Sequence, residues 1–343
     1  MTNLIENPFL LRCFELAKLG GSAVFPNPRV GCVIVHENSV IGEGFHPFFG
    51  GPHAEVVAVS KVTSPEILSK ATLYVSLEPC NHFGKTPPCV DLILKHRIPK
   101  VVVGMTDPNP LVAGKGIERL RANGVEVELY AHPAHFEALN PAFLTNQRMQ
   151  RTHVVLKWAQ GANGTMGDRN RRLLISGMEA NRWTHALRAN MQAILVGAGT
   201  CKVDDPRLNV RNAPGNSPLR IILDANLSVP KSQKLFTDGL PTWIVNHSSN
   251  AKGGNVRWVE WKDDGNWQTF FEMLFQKEKI SNVLVEGGAE VLTSLLTYGV
   301  WDEAYVIQSP QKVEGDVDAP EIFNDFLETK FLLGKDEVRF YKK

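Results

Sequence analysis

Three side chains able to bind a metal constrain this chain more than any other feature of its sequence. His53 precedes Glu55 by two residues, and Pro79-Cys80 and Cys89 follow further along. One imidazole and two thiolates suit zinc, and three protein ligands leave the fourth tetrahedral position open to water. Open positions are typical of hydrolytic zinc sites, where a nearby carboxylate moves protons. We therefore predict that His53, Cys80 and Cys89 bind zinc and that Glu55 acts as the proton shuttle.

The elements predicted around these residues bring them together. The apolar run 71–77 predicts a buried strand that ends at Glu78-Pro79-Cys80, and helices are predicted to begin near Cys89 and at His53. The positive potential at helix N-termini favours thiolate over thiol. Two alternatives stay open: a structural zinc site with His82 as fourth ligand, or a core histidine beside two buried free cysteines.

Composition limits the class of protein. A chain of 343 residues is long enough for two domains, and its net charge of +1 argues against binding to a phosphate backbone. No apolar run reaches the length of a membrane span, and the N-terminus lacks the basic region of an export signal. Five cysteines, two of them assigned to the metal, predict a cytoplasmic protein with Cys13, Cys32 and Cys201 reduced.

All seven tryptophans lie at or beyond Trp158, which indicates a boundary near 146–151 and predicts domains 1–147 and 148–343. The order strand, strand, helix, strand, helix, strand predicts a three-layer α/β first domain with the zinc at the strand ends. Asn27, His46, His82 and Lys85 fall in loops beside it. Asn27 could instead cap the turn between two prolines, and Lys85 could be a solvated loop lysine rather than a phosphate ligand.

The second half contains two glycine turns after predicted strands. Gly197-Ala198-Gly199-Thr200 lacks the third glycine of a dinucleotide fingerprint, so a standard Rossmann domain is not expected. The run 283–289 passes from strand through Gly287-Gly288 into a helix, which is either an anion site or an ordinary tight turn. Arg188 and Arg211 could bind phosphate in a bidentate way or form surface ion pairs.

Taken together, the chain resembles the bifunctional deaminase/reductase family of riboflavin biosynthesis along nearly its full length. The motifs that carry the resemblance are Pro26-Asn27-Pro28-Arg29-Val30-Gly31-Cys32, His53-Ala54-Glu55, Glu78-Pro79-Cys80 through Pro87-Pro88-Cys89, Asp107-Pro108-Asn109-Pro110, Asp204-Asp205-Pro206-Arg207-Leu208 and Val285-Glu286-Gly287-Gly288. The long insert between the two cysteines is a feature of this family.

The resemblance implies an α/β protein with a cytidine-deaminase-like domain followed by a reductase domain with a dihydrofolate-reductase-like fold. In the first domain, His53, Cys80 and Cys89 would hold Zn²⁺ and Glu55 would move protons. The substrate would be a ribosylaminopyrimidine phosphate that loses one ring amine as ammonia. Its implied contacts are Asn27, His46, His82 and Lys85.

In the second domain, NADPH would deliver a hydride to the ribose carbon bonded to nitrogen. We also expect a homo-oligomer that binds a small phosphorylated pyrimidine and neither nucleic acid nor membranes. The implied substrate contacts are Lys157, Arg188, Leu208, Arg211 and Glu286, and the implied cofactor contacts are Gln160, Thr200, Asp204, Gly287, Gly288, Ala289, Glu290, Val291, Leu292 and Thr293.

Two segments of the second half depart from the family pattern. A stretch similar to Ser-Leu-Asp-Gly is Gly161-Ala162-Asn163-Gly164 here, and a segment similar to Ser-x-Trp-Ile-Thr is the run 172–176. An acid and an aromatic are thereby lost from the expected cofactor wall. The alternative that follows is a working deaminase joined to a weakened or inactive reductase.

Overall fold

A computed structural model describes residues 5–83, 87–109, 112–262 and 266–343. The chain divides into two compact units, residues 1–150 and residues 151–343. In the first unit the helices are α1 (Pro8–Lys18), α2 (Ala54–Ser60), α3 (Cys89–Lys95), α4 (Lys115–Ala122), α5 (Ala134–Leu139) and α6 (Pro141–Met149), and the strands are β1 (Gly31–His36), β2 (Ser39–Phe45), β3 (Thr72–Val75), β4 (Lys100–Val103) and β5 (Glu126–Leu129).

The first unit is a five-stranded sheet with helices on both faces, in the order β2-β1-β3-β4-β5. Alternate residues of β1 point to opposite faces, as the two-residue period of a strand requires. Ile34 packs in the core covered by α2, α3 and α4, whereas Val33 packs against Cys13 of α1. The three-layer α/β fold predicted from the sequence is therefore confirmed.

The second unit is built on a large ten-stranded sheet. Its helices are α7 (Met178–Ala189), α8 (Ala198–Asp204), α9 (Lys234–Thr237), α10 (Trp267–Gln276) and α11 (Ala289–Thr297). Its strands are β6 (His153–Gln160), β7 (Thr165–Gly167), β8 (Ala193–Gly197), β9 (Leu219–Leu223), β10 (Thr242–Asn246), β11 (Ala251–Gly253), β12 (Val256–Glu260), β13 (Asn282–Val285), β14 (Glu303–Gln308), β15 (Val317–Asp318), β16 (Leu327–Leu333) and β17 (Asp336–Lys342). The order in the large sheet is β11-β12-β10-β9-β8-β13-β6-β14-β17-β16, and β15 and β7 form a separate pair.

Helices cover this large sheet on both faces. The seven strands from β12 to β14 run parallel. Cys201 of α8 packs with Ile194 and Val196 on one face, and Leu292 of α11 packs with Leu195 on the other. Helices α8 and α11 therefore leave neighbouring strands, β8 and β13, toward opposite faces. Such a divergence opens a crevice at the carboxyl ends of the strands, the usual ligand site of an open α/β sheet.

Among the described residues, none of the helices combines the length and the apolar character needed to cross a bilayer.

Candidate active sites

The three expected metal ligands lie together in the first unit. His53 is the N-cap of α2 and Cys89 is the first residue of α3, while Cys80 follows β3. The Nδ1 atom of His53 lies 3.3 Å from Sγ of Cys89 and 3.5 Å from Sγ of Cys80. In a tetrahedral zinc site with ordinary bond lengths, a nitrogen ligand atom and a sulfur ligand atom lie about 3.5 Å apart. The donor set therefore fits zinc with one position left over.

The two thiols differ in their electrostatics. The pKa of Cys80 falls to about 4, because Cys89 donates hydrogen bonds to its sulfur and His53 lies beside it. The pKa of Cys89 is raised, because that shared hydrogen bond and burial both favour its protonated form. Cys80 is thus the first of the two to become a thiolate, and a bound cation would complete the deprotonation of Cys89.

Glu55 lies one residue inside α2 and is almost completely buried, with 3% of its surface exposed. Burial, together with the nearby charge of Cys80, raises the pKa of its carboxyl to about 7. A carboxyl group that titrates near neutral pH can both accept and return a proton, as general acid–base catalysis requires. Its position beside the three ligands suits the role of a proton shuttle.

Asn27 and His46 form a hydrogen-bonded pair next to the ligands. Nδ1 of His46 lies 2.9 Å from the carbonyl oxygen of Pro52, and Nε2 lies 3.0 Å from Nδ2 of Asn27. A carbonyl oxygen only accepts, so Nδ1 carries the hydrogen and Nε2 accepts from the amide of Asn27. The His46 ring meets the His53 ring edge-on at 5.7 Å. Asn27 therefore contacts a neighbour of the metal site and does more than cap a turn.

Asn27, His46, His53 and Cys80 line a cavity of about 310 Å³. His82 lies on its wall as an exposed side chain, and its imidazole is not part of the three-residue cluster. A structural site with His82 as fourth ligand is thus not what these side chains form. Lys85 lies outside the described residues. Other residues that line the cavity are Glu55, Asp107, Asn109, Phe143 and Gln147.

Glu78 has a role at this site that the sequence did not predict. Its buried carboxylate accepts hydrogen bonds from four backbone N–H groups, at distances of 2.9 to 3.3 Å. The donors belong to Asp107, Gly114, Gly116 and Ile117. One side chain thereby fixes the loop that carries Asp107 and Asn109 to the cavity, and it also caps the start of α4. The sequence signal was its position at the end of a strand, just before Cys80.

We expect Glu78→Gln to lower kcat/KM for ammonia release at least tenfold and to destabilise the first unit by about 2 kcal/mol. Either orientation of the new amide turns an N–H donor toward backbone donors that now meet a carboxylate oxygen. Ammonia assays and urea titration monitored by circular dichroism would measure both effects. Glu66→Gln, at an exposed position, is the control. Wild-type behaviour of Glu78→Gln would contradict this role.

Lys157, Arg188 and Glu286 meet in the second unit as a buried ionic cluster. Glu286 accepts two hydrogen bonds from the guanidinium of Arg188, at 2.6 and 2.7 Å, and lies 4.0 Å from Nζ of Lys157. Burial raises the pKa of Glu286, but the two cations outweigh it and the net pKa is lowered. Burial lowers the pKa of Lys157. Arg188 therefore forms a buried ion pair, and the surface ion pair considered from the sequence is wrong.

The two glycine turns of this unit face each other at the carboxyl ends of β8 and β13. The expected turn at Gly197 to Thr200 is wrong in one respect, because helix α8 already begins at Ala198. Packing of Cys201 in the core offsets the low helix propensity of Gly199. Gly287 and Gly288 have positive φ angles, and a Cβ on either would lie 3.5 Å from Oγ1 of Thr200. This glycine-lined cradle fits the phosphate groups of a dinucleotide.

The remaining expected cofactor residues do not all lie at the glycine turn. Ala289, Glu290, Val291 and Thr293 belong to α11, but Leu292 packs inside the core and its N–H bonds to Gly288, so it presents nothing at the turn. Asp204 ends α8, and burial raises its pKa. Gln160 accepts from Nε1 of Trp158 and donates to Gln308, which fixes its amide.

The altered loop at residues 161–164 is held by its own contacts. The side chain of Asn163 accepts from the N–H of Val313 and donates to the carbonyl oxygen of Val313 and to Oγ1 of Thr165. An aspartate could accept at this position but could not donate. The asparagine thus replaces the family's acid with a side chain that ties the loop to residue 313. In the run 172–176, Leu174 is 87% exposed where the family pattern has an aromatic.

Comparisons with known proteins show which family the chain belongs to. The family model of the cytidine and deoxycytidylate deaminase zinc-binding region matches residues 6–105, and that of the RibD C-terminal domain matches residues 152–338. The riboflavin biosynthesis protein RibD of Aquifex aeolicus is 38% identical over 328 residues, covering 92% of this chain and 90% of that protein. RibD of Bacillus amyloliquefaciens is 37% identical over 334 residues, covering 93% and 88%.

Solved structures of two relatives have a similar fold over 98% of this chain. Acinetobacter baumannii RibD is 32% identical with a TM-score of 0.86 and covers 98% of both chains. A Thermotoga maritima diaminohydroxyphosphoribosylaminopyrimidine deaminase/5-amino-6-(5-phosphoribosylamino)uracil reductase is 32% identical with a TM-score of 0.87, covering 98% of this chain and 97% of that one.

The fold and the two sites define an enzyme in which a zinc-dependent aminohydrolase domain precedes an oxidoreductase domain. Its cofactors are Zn²⁺ and NADPH, as the sequence predicted. The chain belongs to the RibD family of riboflavin biosynthesis proteins.

Proposed function

We propose that this chain catalyses two consecutive steps of riboflavin biosynthesis. The first unit removes an amine by hydrolysis from 2,5-diamino-6-(5-phosphoribosylamino)pyrimidin-4-one, and the second unit uses NADPH to reduce the ribosyl side chain to ribityl. The observation that carries the proposal is the three-ligand cluster of His53, Cys80 and Cys89, with Glu55 beside it at the wall of a cavity. Three ligands and a buried carboxylate are the parts that hydrolytic deamination of a ring needs.

In the deamination, bound zinc supplies a Lewis acid that makes water a nucleophile at neutral pH. Glu55 takes the two protons of the attacking water in turn and passes one to a ring nitrogen and the other to the departing nitrogen. The carbon–nitrogen bond then breaks, ammonia leaves, and the water oxygen remains on the ring as the carbonyl oxygen. Asn27 and His46 orient the pyrimidine, and the cavity of about 310 Å³ is of the size of ordinary small-molecule pockets.

In the reduction, NADPH supplies the hydride, and the protein binds and orients its two ligands. The crevice between α8 and α11 would take the cofactor, and Thr200 and the turn at Gly287-Gly288 would hold its phosphates. Lys157 and Glu286 lie beside this turn and hold the substrate. The contacts of Asn163 with Val313 support a formed loop at 161–164, so nothing in this loop favours the alternative of an inactive reductase.

Removal of the metal tests whether deamination and reduction take place in different units. We expect a chelator to abolish ammonia release from the diamino substrate while NADPH oxidation with the already deaminated substrate continues, because the zinc ligands all belong to the first unit. Restored zinc should restore ammonia release. Ammonia release that persists in fully zinc-free protein would exclude this mechanism.

The remaining expectations also belong to this proposal. We expect the enzyme to act in the cytoplasm as a homo-oligomer, on a small phosphorylated pyrimidine and without binding nucleic acid. All five cysteines are free of disulfides, which is in keeping with a reducing compartment. Sedimentation velocity at several protein concentrations would measure the oligomeric state.

A further inference from the structure

His185 is a buried histidine of the second unit that lies outside the proposed substrate and cofactor contacts. It lies on α7, three residues before Arg188, and only 1% of its surface is exposed. Its Nδ1 atom accepts a hydrogen bond of 3.2 Å from the backbone N–H of Arg211. An imidazole nitrogen that accepts carries no hydrogen, so the neutral ring carries its hydrogen on Nε2.

A second residue of α7, Arg188, also binds the backbone close to Arg211. Nη1 of Arg188 donates to the carbonyl oxygen of Asn209 at 3.2 Å. Residues three apart on a helix point in similar directions, so His185 and Arg188 together fix the backbone of residues 209–211. This backbone follows Leu208, whose φ of 52° is rare for a branched side chain and persists only where the surroundings hold it.

The two arginines have different amounts of free donor capacity. Nε, Nη2 and Nη1 of Arg188 are all engaged, with Glu286 and with Asn209. Arg211 is more exposed, and among the described residues its guanidinium donates a hydrogen bond only to the side chain of Asn209. Of the five N–H donors of each guanidinium, three are used in Arg188 and one in Arg211, so Arg211 has more donors free for a substrate phosphate.

His185 is an unfavourable choice if stability alone is considered. Its Nε2 is buried, and it has no hydrogen-bond partner among the described residues, an arrangement that costs free energy. Burial and the charges of Arg188 and Arg211 lower its pKa to about 4, so the ring stays neutral and keeps Nδ1 as an acceptor at physiological pH. A phenylalanine would fill similar space without the unsatisfied donor.

We propose that His185 is a positioning residue of the reductase site, which holds the backbone of Arg211 so that its guanidinium binds the phosphate of the substrate. This inference rests on the proposed function of the second unit. It assigns His185 no contact with the substrate, since Nε2 is buried within the protein.

Binding measurements on the full chain test this role without requiring turnover. The probes are 5-amino-6-(5-phosphoribosylamino)uracil and its dephosphorylated form, titrated into wild type, His185→Phe and His185→Asn by calorimetry. Asparagine places an oxygen close to the position of Nδ1 and keeps the acceptor, whereas phenylalanine removes it. We expect His185→Phe to weaken the phosphorylated probe about tenfold and to leave the dephosphorylated probe unchanged. We expect His185→Asn to bind both within about twofold of wild type.

Stability gives the second readout. The midpoint of urea unfolding of His185→Phe should change little, because the loss of the unsatisfied Nε2 donor offsets the loss of the acceptor for the N–H of Arg211. Three results would each overturn the inference: equal weakening of both probes, wild-type affinity of His185→Phe, or a wild type that does not distinguish the two probes.

NADPH oxidation is measured separately. A wild type that binds the phosphorylated probe but does not reduce it refutes the proposed function, while the comparison of variants still decides the role of His185.

Discussion

Glu55→Gln is expected to lower ammonia release by about a thousandfold while the protein keeps its zinc. Glutamine preserves the shape of the side chain in its buried position but cannot accept and return a proton. The three ligand atoms at His53, Cys80 and Cys89 are unaffected by this change. Ammonia assays and metal analysis on the same preparation measure both parts of the prediction.

The matched control is Cys80→Ser, which should lose both zinc and ammonia release because a hydroxyl is a poor ligand beside one thiolate and one imidazole. NADPH oxidation in the second unit should persist in both variants. If Glu55→Gln deaminates at a rate near that of wild type, the carboxylate is not the proton shuttle.

Glu286→Gln is expected to lower reduction by at least a hundredfold and to destabilise the second unit by about 3 kcal/mol. The substitution leaves the buried cations Arg188 and Lys157 with a neutral partner, and an uncompensated buried charge is costly. All seven tryptophans lie in this unit, so their fluorescence during urea unfolding reports on its stability. Ammonia release should be unchanged.

Glu278→Gln provides the control for this prediction. Glu278 also accepts two hydrogen bonds from one arginine, Arg257, at 2.9 and 2.8 Å, but this pair is partly exposed to solvent. We expect its loss to change stability by less than about 1 kcal/mol and to leave reduction intact. Equal effects of the two substitutions would show that burial of the Glu286 cluster contributes nothing specific to the reductase.

The sequence predicted those features that depend on local patterns. The strand before Glu78 and the helices that begin near His53 and Cys89 follow from apolar periodicity, and their order along the chain implied the α/β layers. The metal cluster could be predicted because zinc accepts few ligand types and because strand ends and helix starts meet at one edge of a sheet.

The features that the sequence did not reveal depend on contacts between distant segments. The donors to Glu78 come from residues 107–117, and His185 pairs with the backbone of Arg211. No periodic pattern marks such pairs, because the fold alone brings them together. Burial decided the role of Arg188: the same residue types at the surface would have formed a weak ion pair. Packing likewise converted the expected glycine turn at residues 197–200 into the start of a helix.

The most direct test of two activities on one chain supplies the zinc-replete protein with the diamino substrate and NADPH and follows ammonia and NADPH absorbance together. We predict that ammonia appears first and that NADPH is then consumed in an equal amount, because only the deaminated product is reduced. The already deaminated substrate should consume NADPH without delay and release no ammonia. Normal ammonia release with no NADPH consumption from either substrate would contradict the account and leave a deaminase whose second domain does not reduce.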